Sequence, residues 1–235
     1  MQDIWTSFQA AFGLITALDA DLAQIVLLSL KVTSFAVLVS CLIGMPLGAI
    51  LAVGKFKGRG LLRVLINATM GLPPVVVGLL VYLMLSQSGP FAVLNLLYTP
   101  TAMIIAQVIL ITPIVAALTA QVVEDLNVEY QDLLNIMGAN RTQTIATLLW
   151  DARASLMTAA LAGFGRAFAE VGAVMIVGGN INHLTRVMTT AIALETSKGA
   201  LALALALGIV LLVISIIINA SLMALSGDRQ RAAHA

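Results

Sequence analysis

The chain has 235 residues, 60% hydrophobic and only 10% charged, with twelve Lys and Arg against eleven Asp and Glu and a formal net charge of +1. A soluble domain averages about 45–50% apolar and about 25% charged residues, so this composition excludes a water-soluble globular protein and fits an all-α, polytopic membrane bundle. A charge this close to zero leaves no field to gather nucleic acid, and one cysteine, Cys41, excludes an internal disulfide and a multi-cysteine metal site.

Residues 4–18 repeat Ile4, Phe8, Phe12 and Ile15 at helical spacing before Asp19 and Asp21 end the run. That is too short to cross a hydrocarbon core of about 30 Å, which takes about 20 residues. An interfacial helix is expected, with residues 1–21 as an extracytoplasmic or interfacial segment. Asp3, and no basic residue before Lys31, leave no positive region of the kind a cleavable leader carries. Targeting is therefore expected to come from the first spanning helix.

Charge-free runs over 32–54, 64–123 and 199–227 locate the spans. The middle run is interrupted at 86–100 by Gly89, Pro90, Asn95 and Pro100, a turn composition. A further apolar stretch at 155–177 contains Arg166 and Glu170. Five spans follow, near 23–53, 62–85, 101–123, 155–177 and 201–225, making residues 22–225 one membrane domain with a tail at 226–235. Lys31 is expected to extend its ammonium outward along the first span. Gly44 and Gly48, small residues four apart, read as a close helix contact. Pro73 and Pro74 fall in mid-span. They free backbone carbonyls that are tolerated only against protein or a wet cavity, so a kink beside a transport route is expected there.

The basic residues orient the spans. One side holds Lys55, Lys57, Arg59, Arg63, Arg141, Arg153, Arg229 and Arg231; the other holds only Arg186 and Lys198. Eight against two puts the N-terminus outside and the C-terminus in the cytoplasm.

The segment 124–153, between the third and fourth spans, is the most distinctive. Leu126, Tyr130, Leu133, Leu134 and Met137 share one helix face, while Asp125, Glu129, Asp132 and Asn135 share another. Gly138 suits a left-handed helix end, and Asn140 with Gln143 resembles a capping box that opens a second short helix. The result is a helix–turn–helix elbow. Its acidic face disfavours simple adsorption to a negatively charged leaflet and points to a docked protein.

At these residues the chain resembles the membrane subunits of ATP-binding-cassette importers. Their cytoplasmic signature reads Glu-Ala-Ala, three residues, Gly, nine residues, Ile-x-Leu-Pro. Here Asp132 and Leu133-Leu134 stand at its start, Gly138 at its glycine, Leu148 at its isoleucine and Trp150-Asp151 at Leu-Pro. Two spans follow the signature in the family, as they do here. The stretch from Gly165 to Ile181, with Glu170-Val171-Gly172-Ala173-Val174-Met175-Ile176-Val177-Gly178-Gly179-Asn180, is similar to the fourth span of oxyanion permeases. With Thr185–Ile192 and Gly71–Gly78, it is most similar to the tungstate branch, with molybdate and sulfate permeases as relatives.

The resemblance implies a type I importer fold and a homodimer in a prokaryotic plasma membrane. It implies two cytoplasmic ATPase subunits and an extracytoplasmic binding protein that delivers a tetrahedral oxyanion, tungstate first, with molybdate or sulfate as the alternatives. It also implies that Glu129, Asp132, Leu133, Gly138, Ala139, Asn140, Arg141, Thr142 and Gln143 meet the ATPase. No cofactor is expected in this chain: it has no G-x-x-x-x-G-K-[ST] phosphate loop, and Mg-ATP belongs to the partner subunit.

Arg166 and Glu170 are four apart, which in one continuous helix puts them on one face. A charge at mid-membrane depth costs about 2.5–3.5 kcal/mol on insertion scales, so both need a partner, the bundle interior or water. Two roles are open: lining and gating the route together with Pro73 and Pro74, or bracing the bundle as an internal ion pair. Asn180, Asn182, His183 and Arg186, in the outer loop 178–198, either meet the binding protein or form a re-entrant or interfacial loop. An intramembrane enzyme lacks support, since His183 and His234 are the only histidines and neither falls in a span. An ion-driven carrier would concentrate acids in the membrane, where only Glu170 lies.

Overall fold

The computed structural model describes residues 2–17 and 19–232, with side chains described over 5–17 and 19–221; the end of the tail, 233–235 with His234, lies outside the described residues, as does Leu18. Every regular element among them is helical. They are α1 (Gln2–Thr16), α2 (Ala20–Val53), α3 (Arg59–Met70), α4 (Pro74–Leu85), a 3-10 turn (Ala92–Leu94), α5 (Pro100–Ile136), α6 (Arg141–Asp151), α7 (Arg153–Phe168), α8 (Gly172–Gly178), α9 (Met188–Lys198) and α10 (Leu201–Ala232).

Three helices, α2, α5 and α10, are long and apolar enough to cross a membrane, and the number rises to five if each of two bent pairs counts as one span. At 15 residues α1 is short for a crossing. The bent pairs correct the sequence-based expectation. Residues 62–85 are not one kinked helix: α3 stops at Met70, α4 starts at Pro74, and the two are bent by 101°. The double proline is a helix start, because Pro74 takes the first helical position, where its missing N–H is not needed. Residues 155–177 are likewise broken, α7 ending at Phe168 and α8 starting at Gly172 with a bend of 62°. Arg166 and Glu170 therefore share no helix face. The outer segment expected as a loop contains α9, and α10 extends to Ala232.

The chain divides into two compact units, and the long helices α2, α5 and α10 contribute to both. The first comprises Met1–Phe35, Pro74–Gln107 and Phe168–Ala220; the second comprises Ala36–Pro73, Val108–Ala167 and Ser221–Ala235.

In the second unit the lower part of α2 packs on α5 through its glycines. A Cβ built on Gly44 would lie 3.0 Å from the Thr112 carbonyl oxygen, and one on Gly48 would strike the Ala116 carbonyl and approach Thr119 Cβ to 2.8 Å. Gly48→Ala is therefore expected to push the helices apart and cost about 1–3 kcal/mol, the usual penalty for overpacking. Thermal unfolding of the purified protein would show this as a lowered midpoint. Gly60→Ala, where a Cβ meets nothing within 4 Å, should leave the midpoint level or raise it.

In the first unit α4 and α8 are closely packed. A Cβ on Gly78 would come within 2.7 Å of Ala173 Cα, and one on Gly172 within 2.7 Å of Val75 Cγ2. The Tyr98 N–H donates to the Val177 carbonyl at 3.0 Å. Ser29 Oγ accepts from the Met188 N–H at 2.8 Å, tying α2 to the start of α9.

Candidate functional site: a braced elbow and two helix breaks

The elbow follows from local sequence chemistry. α5 runs past its apolar stretch to Ile136, and Gly138 turns the chain at φ +67°, a left-handed conformation that favours glycine. A Cβ on Gly138 would meet nothing within 4 Å, so backbone conformation alone selects this residue. Asn140 then caps α6: its Oδ1 accepts from the Gln143 N–H at 2.9 Å, and Gln143 Oε1 accepts from the Asn140 N–H at 2.9 Å. The capping box is present as the spacing predicts. Asn140→Ala should cost about 1 kcal/mol of local stability, read as faster hydrogen exchange confined to the first turn of α6.

A brace holds the turn closed. Leu134 and Leu148 are buried with Ala49, Ala52 and Val123, with Leu126, Tyr130 and Ile145 packed around them. Across the elbow Tyr130 donates its hydroxyl to Asp151 Oδ2 at 2.9 Å. Losing that proton would set a phenolate beside a carboxylate, so the bond holds Tyr130 above the ordinary phenol range.

The apolar face expected for this segment divides. Leu134 is buried, whereas Leu133 is 57% exposed and Met137 71%. The stripe facing α2 is centred on Val123, Tyr130 and Leu134, and one residue of α helix turns a side chain by about 100°, carrying Leu133 off its edge. Glu129, Asp132, Ala139, Asn140, Arg141, Thr142 and Gln143 are all exposed except the half-buried Ala139. Trp150, 73% exposed and with the Arg153 guanidinium 5.2 Å from its ring centre, adds an aromatic knob. The sequence pattern had placed it only in the signature's Leu-Pro position, and its place after Leu148-Leu149 gives no sign of its exposure.

The sequence pattern also missed an ion-pair cluster that anchors this end of the chain. Arg59 donates Nε to the Leu51 carbonyl at 2.6 Å and Nη2 to the Ala52 carbonyl at 3.0 Å, capping α2. The same Nη2 lies 3.1 Å from Glu124 Oε1, and Arg63 binds Glu124 Oε2. The spacing of Arg59 and Arg63, one turn apart and both basic at the start of a helix, was the only hint.

At the second break Glu170 is buried, 5% exposed, just before α8. Its Oε1 accepts from the Ala173 N–H at 3.1 Å, and its carbonyl accepts from Thr189 Oγ1 at 2.8 Å, linking the break to α9. Arg166 is exposed in the last turn of α7, Pro73 is exposed and Pro74 is half-buried. Gly172, two residues after Glu170, rests against Val75 in the first turn of α4.

The segment 178–198 is held by bonds within itself and to α2. Asn180 accepts from Thr190 Oγ1 at 3.0 Å and donates to the Thr190 carbonyl at 3.3 Å. His183 Nδ1 lies 2.8 Å from Gln24 Oε1. Arg186 is turned inward, its side chain 16% exposed and Nη1 3.8 Å from Glu195 Oε1, which Lys198 Nζ also approaches at 3.1 Å. Of the four residues expected to face a partner, Asn182 and His183 are exposed and Asn180 and Arg186 are drawn in. Among the described residues no group of three His, Cys, Asp or Glu side chains could hold a metal ion.

Comparison with known proteins identifies relatives of the chain. The chain is 40% identical to the tungstate uptake system permease protein TupB of Peptoclostridium acidaminophilum, over 97% of this chain and 100% of that relative. It is 36% identical to the protein of the same description from Campylobacter jejuni, over 70% of this chain and 69% of the relative. The molybdenum transport system permease protein ModB of Azotobacter vinelandii is 27% identical over 74% of this chain and 80% of its own length. Residues 44–229, which carry the elbow and both helix breaks, match the family of binding-protein-dependent transport system inner membrane components, and the chain belongs to it.

Proposed function

We propose that the chain is the permease subunit of an ATP-driven importer that carries tungstate into a prokaryotic cell. The observation that carries the substrate is the 40% identity, along the full length, to a tungstate uptake permease, against 27% for a molybdenum one. In this account two copies form the route as five-span protomers, each bent pair being one span. An extracytoplasmic binding protein delivers the anion, and a separate ATPase subunit holds Mg-ATP. Eight basic residues face the cytoplasm, so the elbow lies inside and the N-terminus outside.

The elbow is the coupling element. Glu129, Asp132, Leu133, Gly138, Ala139, Asn140, Arg141, Thr142 and Gln143 form its docking side, with Trp150 beside them. An exposed set attached to a buried brace suits a rigid lever, since force on α6 reaches α2 and α5 through Leu148 and Leu134. The breaks at 71–73 and 169–171, with Pro73, Pro74, Arg166 and Glu170, form the gate. Irregular backbone at membrane depth is tolerated only against protein or along a wet cavity, and a buried carboxylate within it supports a functional role. Asn182 and His183 are the binding-protein contacts, with Asn180 and Arg186 shaping the loop behind them.

The test is ATP turnover of the reconstituted complex with its binding protein and each oxyanion in turn. Tungstate is expected to raise turnover at the lowest concentration. Equal stimulation by sulfate would overturn the substrate, and transport that survives ATP depletion but fails with an ionophore would overturn the coupling.

A further inference from the structure

We infer that the cleft between α3 and α5 is a binding site for an anionic phospholipid. α3 is two-faced. Arg59, Arg63 and Asn67, spaced by four, lie along one stripe, and both arginines turn to Glu124 of α5. On the other side Leu61, Val64 and Leu65 are 67%, 63% and 52% exposed.

Between α3 and α5 is a cleft of about 290 Å³. Its polar end is made by Arg63, Asn67, Gln121 and Glu124, and its walls are apolar, with Leu51, Met70 and Leu118 among them. Asn67 and Gln121 are both exposed there. The ion-pair cluster holds two guanidinium groups against one carboxylate and so keeps an excess positive charge, and Lys55 and Lys57 lie just upstream in the sequence.

The chemistry selects the occupant. A free oxyanion gains nothing from walls of leucine and methionine. A neutral lipid gains nothing from the cluster's surplus positive charge. A phosphodiester with acyl chains uses both: its phosphate meets Arg63 and the two carboxamides, and its chains lie along the apolar wall. Basic pockets between membrane helices bind anionic headgroups by this combination.

The experiment is native mass spectrometry of the intact transport complex, extracted from membranes and then exposed to equal amounts of phosphatidylglycerol and phosphatidylcholine. Phosphatidylglycerol is expected to be retained at least fivefold over phosphatidylcholine. Asn67→Leu with Gln121→Leu, which removes the carboxamides and leaves the ion pairs, is expected to lower the amount of phosphatidylglycerol retained severalfold, and Lys55→Gln with Lys57→Gln to reduce the preference over phosphatidylcholine. Thermal midpoints and tungstate-stimulated ATP turnover, measured on the same preparations, establish that each variant is folded and assembled. Equal retention of both lipids, retention unchanged in the carboxamide variant, or displacement of the lipid by millimolar inorganic phosphate or tungstate would overturn the inference.

Discussion

A Glu170→Ala permease is expected to assemble with its partners yet to lose at least four-fifths of its anion-stimulated ATP turnover. Glu170 is 5% exposed and occupies the break between α7 and α8, where its carboxylate takes the Ala173 N–H and its carbonyl takes the Thr189 hydroxyl. Deleting the carboxylate leaves a buried donor unmet, a loss of about 1–3 kcal/mol, which is roughly a 5- to 150-fold shift in any conformational equilibrium the break controls. Glu170→Gln separates charge from hydrogen bonding, since a carboxamide oxygen can still accept from Ala173. A gate needs the charge, so the glutamine variant should also be impaired. Normal turnover in the glutamine variant together with loss in the alanine variant would make Glu170 a brace, and near-normal turnover in both would remove it from the mechanism.

The second large effect is expected at Leu148. This side chain is fully buried between the lower part of α2, α5 and the elbow, with Ala49, Ala52, Val123 and Leu134 around it. Truncating a buried leucine to alanine costs about 2–5 kcal/mol. Nearly all of that loss falls on the joint between α6 and the membrane helices, so Leu148→Ala should keep its spanning helices while the elbow loosens. ATPase capture by the purified permease should fall severalfold, with hydrogen exchange rising over 130–151. Trp150→Ala is the complementary change: 73% exposed, it should weaken capture without lowering the thermal midpoint. Equal capture by all three proteins would exclude the elbow as the docking element.

Much of the helical class was legible because hydrophobic composition and charge-free runs report directly on lipid exposure. The elbow was legible too, since Gly138, Asn140 and Gln143 act through local backbone chemistry that depends on few neighbours. The two helix breaks were not. Pro73-Pro74 was visible, but a proline pair inside an apolar run is compatible with a kink or with a helix start, and periodicity does not separate them. The break at 169–171 carries no proline at all; only Gly172 marked it, and reading through it placed Arg166 and Glu170 on one face. For Arg186 the sequence leaves a binding-protein contact and a re-entrant or interfacial loop both open, because a charge in a loop fits either. The burial of Arg186 depends on Glu195, nine residues on and in a helix the hydrophobic pattern did not reveal. The Arg59–Glu124–Arg63 cluster joins residues more than sixty apart, and no local pattern encodes such a pairing.

The most direct measurement is site-specific cross-linking in the co-expressed transport complex, with single cysteines placed at Leu133, Met137 or Trp150 and, for comparison, at Asn182, after Cys41 has been changed to serine. The account requires the three elbow positions to capture the ATPase subunit and Asn182 to capture the binding protein instead. Capture of the ATPase from Asn182, with none from the elbow, would contradict it.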